Sequence, residues 1–202
     1  MPSNFRPVIV RFSTKMENGV TQAQASFNMH FNWNFFNNPG PRAQIHGYLD
    51  VFHQVNVLSF TQRYHMKETE EFTNKNTGQI LLYQAYDPHC QNRTVDFINI
   101  HKLPNMRYRI TGLGRSYTYS IRPIFHRQEP NTGVTVTGSR KADNPWFDTA
   151  MLVNHQGGAP DVSSINGRLF VIENSDSRKI IVHQTVTLMF KGSRNGQVYK
   201  TT

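Results

Sequence analysis

The chain has one cysteine, Cys90, in 202 residues. It therefore cannot close a disulfide on itself, and it lacks the cysteine pairs of thiolate zinc sites, so its stability must come from packing. No apolar run approaches the ~18 residues of a membrane span, and the first residues carry no continuous apolar stretch of the signal-peptide kind. These absences predict a protein of a reducing, soluble compartment with no membrane partner. None of the nine histidines stands in a His-x-His or His-Glu-x-x-His pattern, so there is no metal-ligand spacing to build on. His30 reads as a hydrogen-bonding residue on a polar strand face, and His65 with Glu68, Glu70 and Glu71 as a solvated charged stretch. Asp50, Asp87 and Asp148 fall at expected strand ends, where carboxylates satisfy turn backbone. A Gly-x-Ser-x-Gly elbow is missing, and Gly112-x-Gly114 before Arg115 lacks the helix that a nucleotide fingerprint requires. His155-Gln156-Gly157-Gly158 reads as a turn, and the Asn92-Arg93-Thr94 triplet has no secretory context for glycosylation. The sequence predicts no enzyme: no catalytic residue, no metal site and no cofactor.

Acidic residues are also scarce. Thirteen stand against 22 lysines and arginines, for a net charge of +9 and a pI near 9.9. An excess of this sign is a statement about partners, and the partner it suits is a nucleic acid or another polyanion.

What the sequence has in quantity is alternation. Ala23, Ala25, Phe27, Met29, Phe31, Trp33 and Phe35 interleave without a break with Gln24, Ser26, Asn28, His30, Asn32 and Asn34. A period of two places each set on one face of a strand. The rhythm returns at Tyr117, Tyr119, Ile121, Pro123 and Phe125, and at Ile180, Val182, Gln184, Val186, Leu188 and Phe190. Residues 8–16 form a further strand, followed by a tight turn at Glu17-Asn18-Gly19. Asn37-Asn38-Pro39-Gly40-Pro41 breaks pairing. In the extended run Tyr48 to Met66 the apolar positions change from odd (Leu49, Val51, Val55, Val57) to even (Leu58, Phe60, Tyr64, Met66), which predicts a bulge near residue 57. Residues 67–78 form a polar loop, 79–86 a strand buried on most sides, and 89–105 either a helical turn or an irregular buried loop. Residues 107–125 return to strand with a bulge at Gly112 and Gly114. Residues 128–144 are loop-rich, with a short ribbon at Val134 and Val136. Strands at 146–153, 168–173 and 180–191 complete eight principal strands, with no long amphipathic helix. Eight strands with unequal connections and no fixed repeat fit an all-β, eight-stranded jelly roll, an antiparallel β-sandwich.

Arginine alternates with tyrosine at Arg107, Tyr108, Arg109, Arg115, Tyr117, Tyr119 and Arg122. Guanidinium groups pair phosphate oxygens while aromatic faces stack on unpaired bases, so such a ribbon suits single-stranded nucleic acid. The phase of Tyr117 and Tyr119, shared with Ile121 and Phe125, places these two rings in the core instead.

Three local patterns resemble the capsid protein of circoviruses and related circular, Rep-encoding single-stranded DNA (CRESS-DNA) viruses. They are Leu81-Leu82-Tyr83-Gln84-Ala85-Tyr86-Asp87-Pro88, then Tyr117-Thr118-Tyr119-Ser120-Ile121-Arg122-Pro123, and finally a C-terminal block from Trp146 through Phe170 and Glu173-Asn174-Ser175 to Val186-Thr187-Leu188-Met189-Phe190-Lys191. Together they span residues 46–192. The resemblance implies a viral jelly roll at 20–192 between a short N-terminal arm or strand at 1–19 and a tail at 193–202. It implies a homo-oligomer of sixty copies in a T=1 shell around a single-stranded DNA genome, found in the virion and assembled in the host nucleus. Outer loops would lie at about 66–78, 126–144 and 154–167. It names no host receptor. The chain departs from the family in having no arginine-rich arm: residues 1–20 hold only Arg6, Arg11 and Lys15 as basic groups. Those three, with Arg107, Arg109, Arg115 and Arg122, are the expected nucleic-acid contacts. Two other classes fit an all-β basic chain, a non-viral nucleic-acid-binding β-barrel and a carbohydrate-binding β-sandwich.

Overall fold

Strands dominate the architecture. In the computed structural model the described residues are 6–20, 24–67, 80–87, 100–103, 105–111, 115–126, 141–142, 146–149, 164, 166–173 and 178–193. They form β1 (Val8–Val20), β2 (Gln24–Met29), a 3-10 turn (Trp33–Asn37), α1 (Pro39–Val51), β3 (Phe52–Lys67), β4 (Ile80–Asp87), β5 (Arg107–Thr111), β6 (Ser116–Ile121), β7 (Phe125–His126), β8 (Lys141–Ala142), β9 (Phe147–Asp148), β10 (Gly167–Glu173) and β11 (Arg178–Ser193). One sheet has the order β1-β11-β3-β6, with β9 added on β3; a second has the order β2-β10-β4-β5; β7 and β8 make a separate ribbon. All pairings are antiparallel. With the two-residue strands β7, β8 and β9 set aside, the principal strands lie in chain order 1-8-3-6 and 2-7-4-5, the double winding of a jelly roll.

The main core fills the space between the sheets. Phe12, Val55, Phe60, Tyr64, Val186, Leu188 and Phe190 from the first sheet meet Leu82 and Phe170 from the second. Phe31, Trp33, Phe35 and Phe125 join them through edge-on ring contacts such as Phe31–Trp33 at 5.2 Å, the arrangement that ring quadrupoles favour. The tyrosines at 64 and 119 also point inward. The Tyr64 hydroxyl donates to Gln62 Oε1, and burial pushes the Tyr64 pKa far above the ordinary tyrosine value. The other face of the second sheet is covered too: Tyr83, Ala85, Leu169 and Val171 pack under Ile100, Leu103 and Met106. That double burial accounts for the nearly unbroken apolar run in β4.

The predicted bulge is present. Leu188 pairs with Val57 and Thr187 with Ser59, so Leu58 is the extra residue, with Val55 and Val57 facing the core before it and Phe60 and Tyr64 after it.

Several local expectations are corrected. Asn18-Gly19 makes no turn: β1 continues through it, paired with Ile180 and Lys179 of β11, because a ladder of 13 register pairs outweighs the local turn preference. The alternating run at 23–35 is a strand only to Met29, after which the same alternation of burial continues through a bridge at Asn32 and the 3-10 turn. The chain also has a helix, α1, in place of the expected turn and strand. Pro39 starts it, since a first-turn proline loses no intrahelical hydrogen bond, and Pro41, Ile45 and Leu49 at four-residue spacing form its buried stripe. Tyr48 of α1 stacks on Phe190 at 5.2 Å and meets Phe12 edge-on at 5.9 Å, so the helix packs against the β1–β11 part of the first sheet. Asp50 consequently lies in helix, not at a strand end. Arg107 to Phe125 is not one bulged run: β5 belongs to the second sheet and β6 to the first. Gly112 and Gly114, the ribbon at Val134 and Val136, residues 150–153 of the Trp146–Val153 strand, Glu68, Glu70 and Glu71, and most of the three expected outer loops lie outside the described residues.

Candidate nucleic-acid interface

β1 is an edge strand, and its side chains divide by parity: Val10 and Phe12 turn inward while Arg11, Ser13 and Lys15 are exposed. Arg6 is exposed just before it. Register carries this outer face across the whole first sheet. Lys15 stands opposite His183, His183 opposite Arg63, and Arg63 opposite Thr118, all four exposed. The adjacent row is Ser13, Thr185, Thr61 and Ser120, in which Ser13 Oγ and Thr185 Oγ1 lie 3.0 Å apart and Thr61 Oγ1 and Ser120 Oγ 2.9 Å. Arg11, Thr187 and Ser59 make the next row. Arg63 Nη2 donates to Ser116 Oγ at 3.3 Å, and His65 Nδ1 shares a 3.0 Å hydrogen bond with the same hydroxyl. These three rows hold hydroxyls and cations and no carboxylate, a surface suited to phosphate oxygens.

The other expected residues are elsewhere. Arg107 and Arg109 are exposed on β5, at the free edge of the second sheet. Arg115 precedes β6 and Arg122 follows it, both exposed. β6 is three strand steps from β1, about 14 Å at sheet spacing. The fold therefore divides the seven residues into a β1 group and a β5–β6 group.

The tyrosines divide as their phase required. Tyr119 is buried and Tyr117 packs against the core, whereas Tyr108 is 63% exposed, its ring 6.2 Å from that of Tyr83. Burial pushes the Tyr119 hydroxyl up, against a smaller opposing effect of the cations Arg109 and Arg168.

Arg122 is held by its backbone. Asn166 Nδ2 donates to the Arg122 carbonyl at 2.9 Å and Asn166 Oδ1 accepts from Ile124 N–H at 2.8 Å, while Ser164 Oγ donates to the Asn166 carbonyl at 2.9 Å. One asparagine thus ties the end of β6 to the start of β10. Sequence reasoning misses Arg63, His183 and Arg168. Strand phase carries a signal for the first two, since the even apolar positions of β3 and β11 leave both on the outer face. Among the described residues there is no group of three or more His, Cys, Asp or Glu side chains arranged for a metal.

No protein-family model matches the chain, and no curated protein matches it in sequence. Solved structures match its shape. The 60-mer form of the capsid protein of BFDV, a circovirus, superposes with a TM-score of 0.62 at 11% identity, covering 94% of this chain and 95% of that one. The decameric form of the BFDV capsid protein gives 0.55 at 12% identity, over 93% and 100%. At such identities the likeness is one of fold, and the fold is the viral capsid jelly roll.

Proposed function

We propose that the chain is a viral coat subunit that assembles, as sixty copies in a T=1 shell, around a single-stranded DNA genome held by non-specific phosphate contacts. The observation that carries this reading is the complete double winding, two four-strand paths in jelly-roll order, matched over nearly the whole chain to a protein that forms a 60-mer. The cationic rows on the first sheet support the DNA part. In this reading Arg6, Arg11 and Lys15 face the interior and, with Arg63 and His183, supply positive charge toward the genome; Arg107, Arg109, Arg115 and Arg122 contribute from the β5–β6 edge. A subunit with this role resides in the virion, after assembly in the host nucleus, and needs no catalytic group.

Sedimentation velocity with negative-stain electron microscopy tests the shell. The purified chain is expected to form closed particles at physiological salt. A single monomer boundary at high protein concentration, with no particle fraction, would overturn the assignment.

A further inference from the structure

Where β6 ends beside β4 and β10, the two sheets part around a cleft of about 320 Å3, at the lower end of the size range of small-ligand pockets. Tyr86, Ser120, Arg122, Pro123, Asn166 and Arg168 contribute to its walls, and no carboxylate is among the described lining residues. The register of β5 on β4 ends at Gln84, and among the described residues no strand pairs with Ala85, Tyr86 and Asp87 on that side.

Its two cations differ in kind. Arg122 is exposed, on a backbone fixed by Asn166. Arg168 is half-buried on β10 and held from two sides: Nη1 donates to Gln84 Oε1 at 3.3 Å, and its guanidinium carbon lies 5.9 Å from the Tyr119 ring centroid. Among the described residues Arg168 Nε is buried with no hydrogen-bond partner, a costly state for a charged donor. Tyr86 pairs directly with Arg168 across the strands, so their side chains share a face, and Tyr86 is 36% exposed. Two guanidinium groups and a partly exposed aromatic ring at one cleft match the two parts of a nucleotide, a phosphate and a flat base.

We infer that this cleft binds one nucleotide of a single strand, its phosphate between Arg122 and Arg168 and its base against the Tyr86 ring. The inference rests on the nucleic-acid part of the proposed function and is independent of shell formation. A sulfated sugar would also satisfy the cations, and heparin is therefore the competitor that separates the two ligands. The two groups of basic residues then contribute differently, since the first sheet offers charge alone and the cleft adds preference for a base-bearing chain.

The test compares two fluorescent probes of equal phosphate count, an oligothymidylate and an abasic deoxyribose-phosphate chain, binding to the full-length protein by anisotropy, with particle formation followed separately by sedimentation. The parent should bind oligothymidylate at least about five-fold more tightly, the low end of what one stacked base contributes. Tyr86→Leu should abolish that preference while leaving abasic affinity unchanged. Arg122→Gln should weaken both probes alike and lower the log–log salt slope by about 0.7, one single-strand phosphate contact. Arg168→Lys, which keeps the charge and so protects folding, should also weaken both, because an ammonium lacks the planar fork. A parent that does not distinguish the probes, or a Tyr86→Leu variant that loses both equally, would overturn the site. So would heparin displacing oligothymidylate as readily from Tyr86→Leu as from the parent, with the base preference absent in both. Particles that bind neither probe would overturn the DNA reading and this inference together; a dissociated subunit with the Tyr86-dependent preference would leave the cleft standing and overturn only the shell.

Discussion

Leu188 lies wholly enclosed between the sheets, opposite Val57 at the step where β3 gains its extra residue. Its neighbours on β11, Val186 and Phe190, are equally enclosed. Leu188→Ala should therefore destabilise the subunit by about 2–5 kcal/mol, a transfer loss plus a cavity that a clamped bulge cannot collapse. Chemical denaturation would read this as a lower midpoint at constant slope; an unchanged midpoint would mean that the core phase of β11 is wrong. Tyrosine is legible residue by residue only in part. The in-phase pattern of Tyr117 and Tyr119 with Ile121 places both rings in the core, and both pack there. Tyr108 shares its phase in β5 with Ile110 and is nonetheless 63% exposed, so phase alone does not place it. Arg168 is invisible in the sequence for a different reason: its surroundings, Gln84 and Tyr119, come from strands distant in sequence, and nothing local marks a residue for a cleft between sheets.

At the scale of elements, the bulge is legible and the helix is not. A change in parity of apolar positions has one economical cause in a strand, an extra residue, and Leu58 supplies it. In α1 the same apolar residues support a false strand, because Leu49 and Val51 alternate correctly with Val55 and Val57 when the stripe Pro41, Ile45, Leu49 is overlooked. Prolines hide the stripe: they read as breakers, although at the start of a helix they are compatible with it. Gly47 offers a direct check on this element. It sits exposed in the helix, and a Cβ there would meet nothing within 4 Å. Gly47→Ala should thus stabilise the subunit by about 1 kcal/mol, through helix propensity and reduced freedom of the unfolded chain. The expected sign is an upward shift in the urea midpoint; a downward shift in assembled particles alone would indicate that a neighbouring copy packs against this position.

For the molecule as a whole, the charge excess is plain in the composition, but its distribution depends on which strands become neighbours. Rows such as Lys15, His183, Arg63 and Thr118 gather residues from the two ends and the middle of the chain, and only the β1-β11-β3-β6 order brings them together. On the proposed nucleic-acid reading, a surface with no carboxylate in these rows attracts a polyanion through counterion release, so the affinity should fall steeply with salt. Each single-strand phosphate contact contributes about 0.7 to the log–log slope, and neutralising Arg6, Arg11 and Lys15 together should therefore lower it by about 2. Arg63→Gln should remove about 0.7 more, because Arg63 belongs to the same face although it lies far from the N-terminus in sequence. None of these side chains is in the core, so particles should still form. The readouts are the salt slope and the nucleic-acid-to-protein absorbance ratio of purified particles, both compared with the parent. If the triple variant leaves both unchanged while Arg122→Gln lowers them, packaging runs through the β5–β6 edge and the first sheet faces away from the genome. A drop in the triple variant with no further effect of Arg63→Gln would confine the contact to β1 and the residues before it, and the cationic rows would then be a solvent face without a ligand.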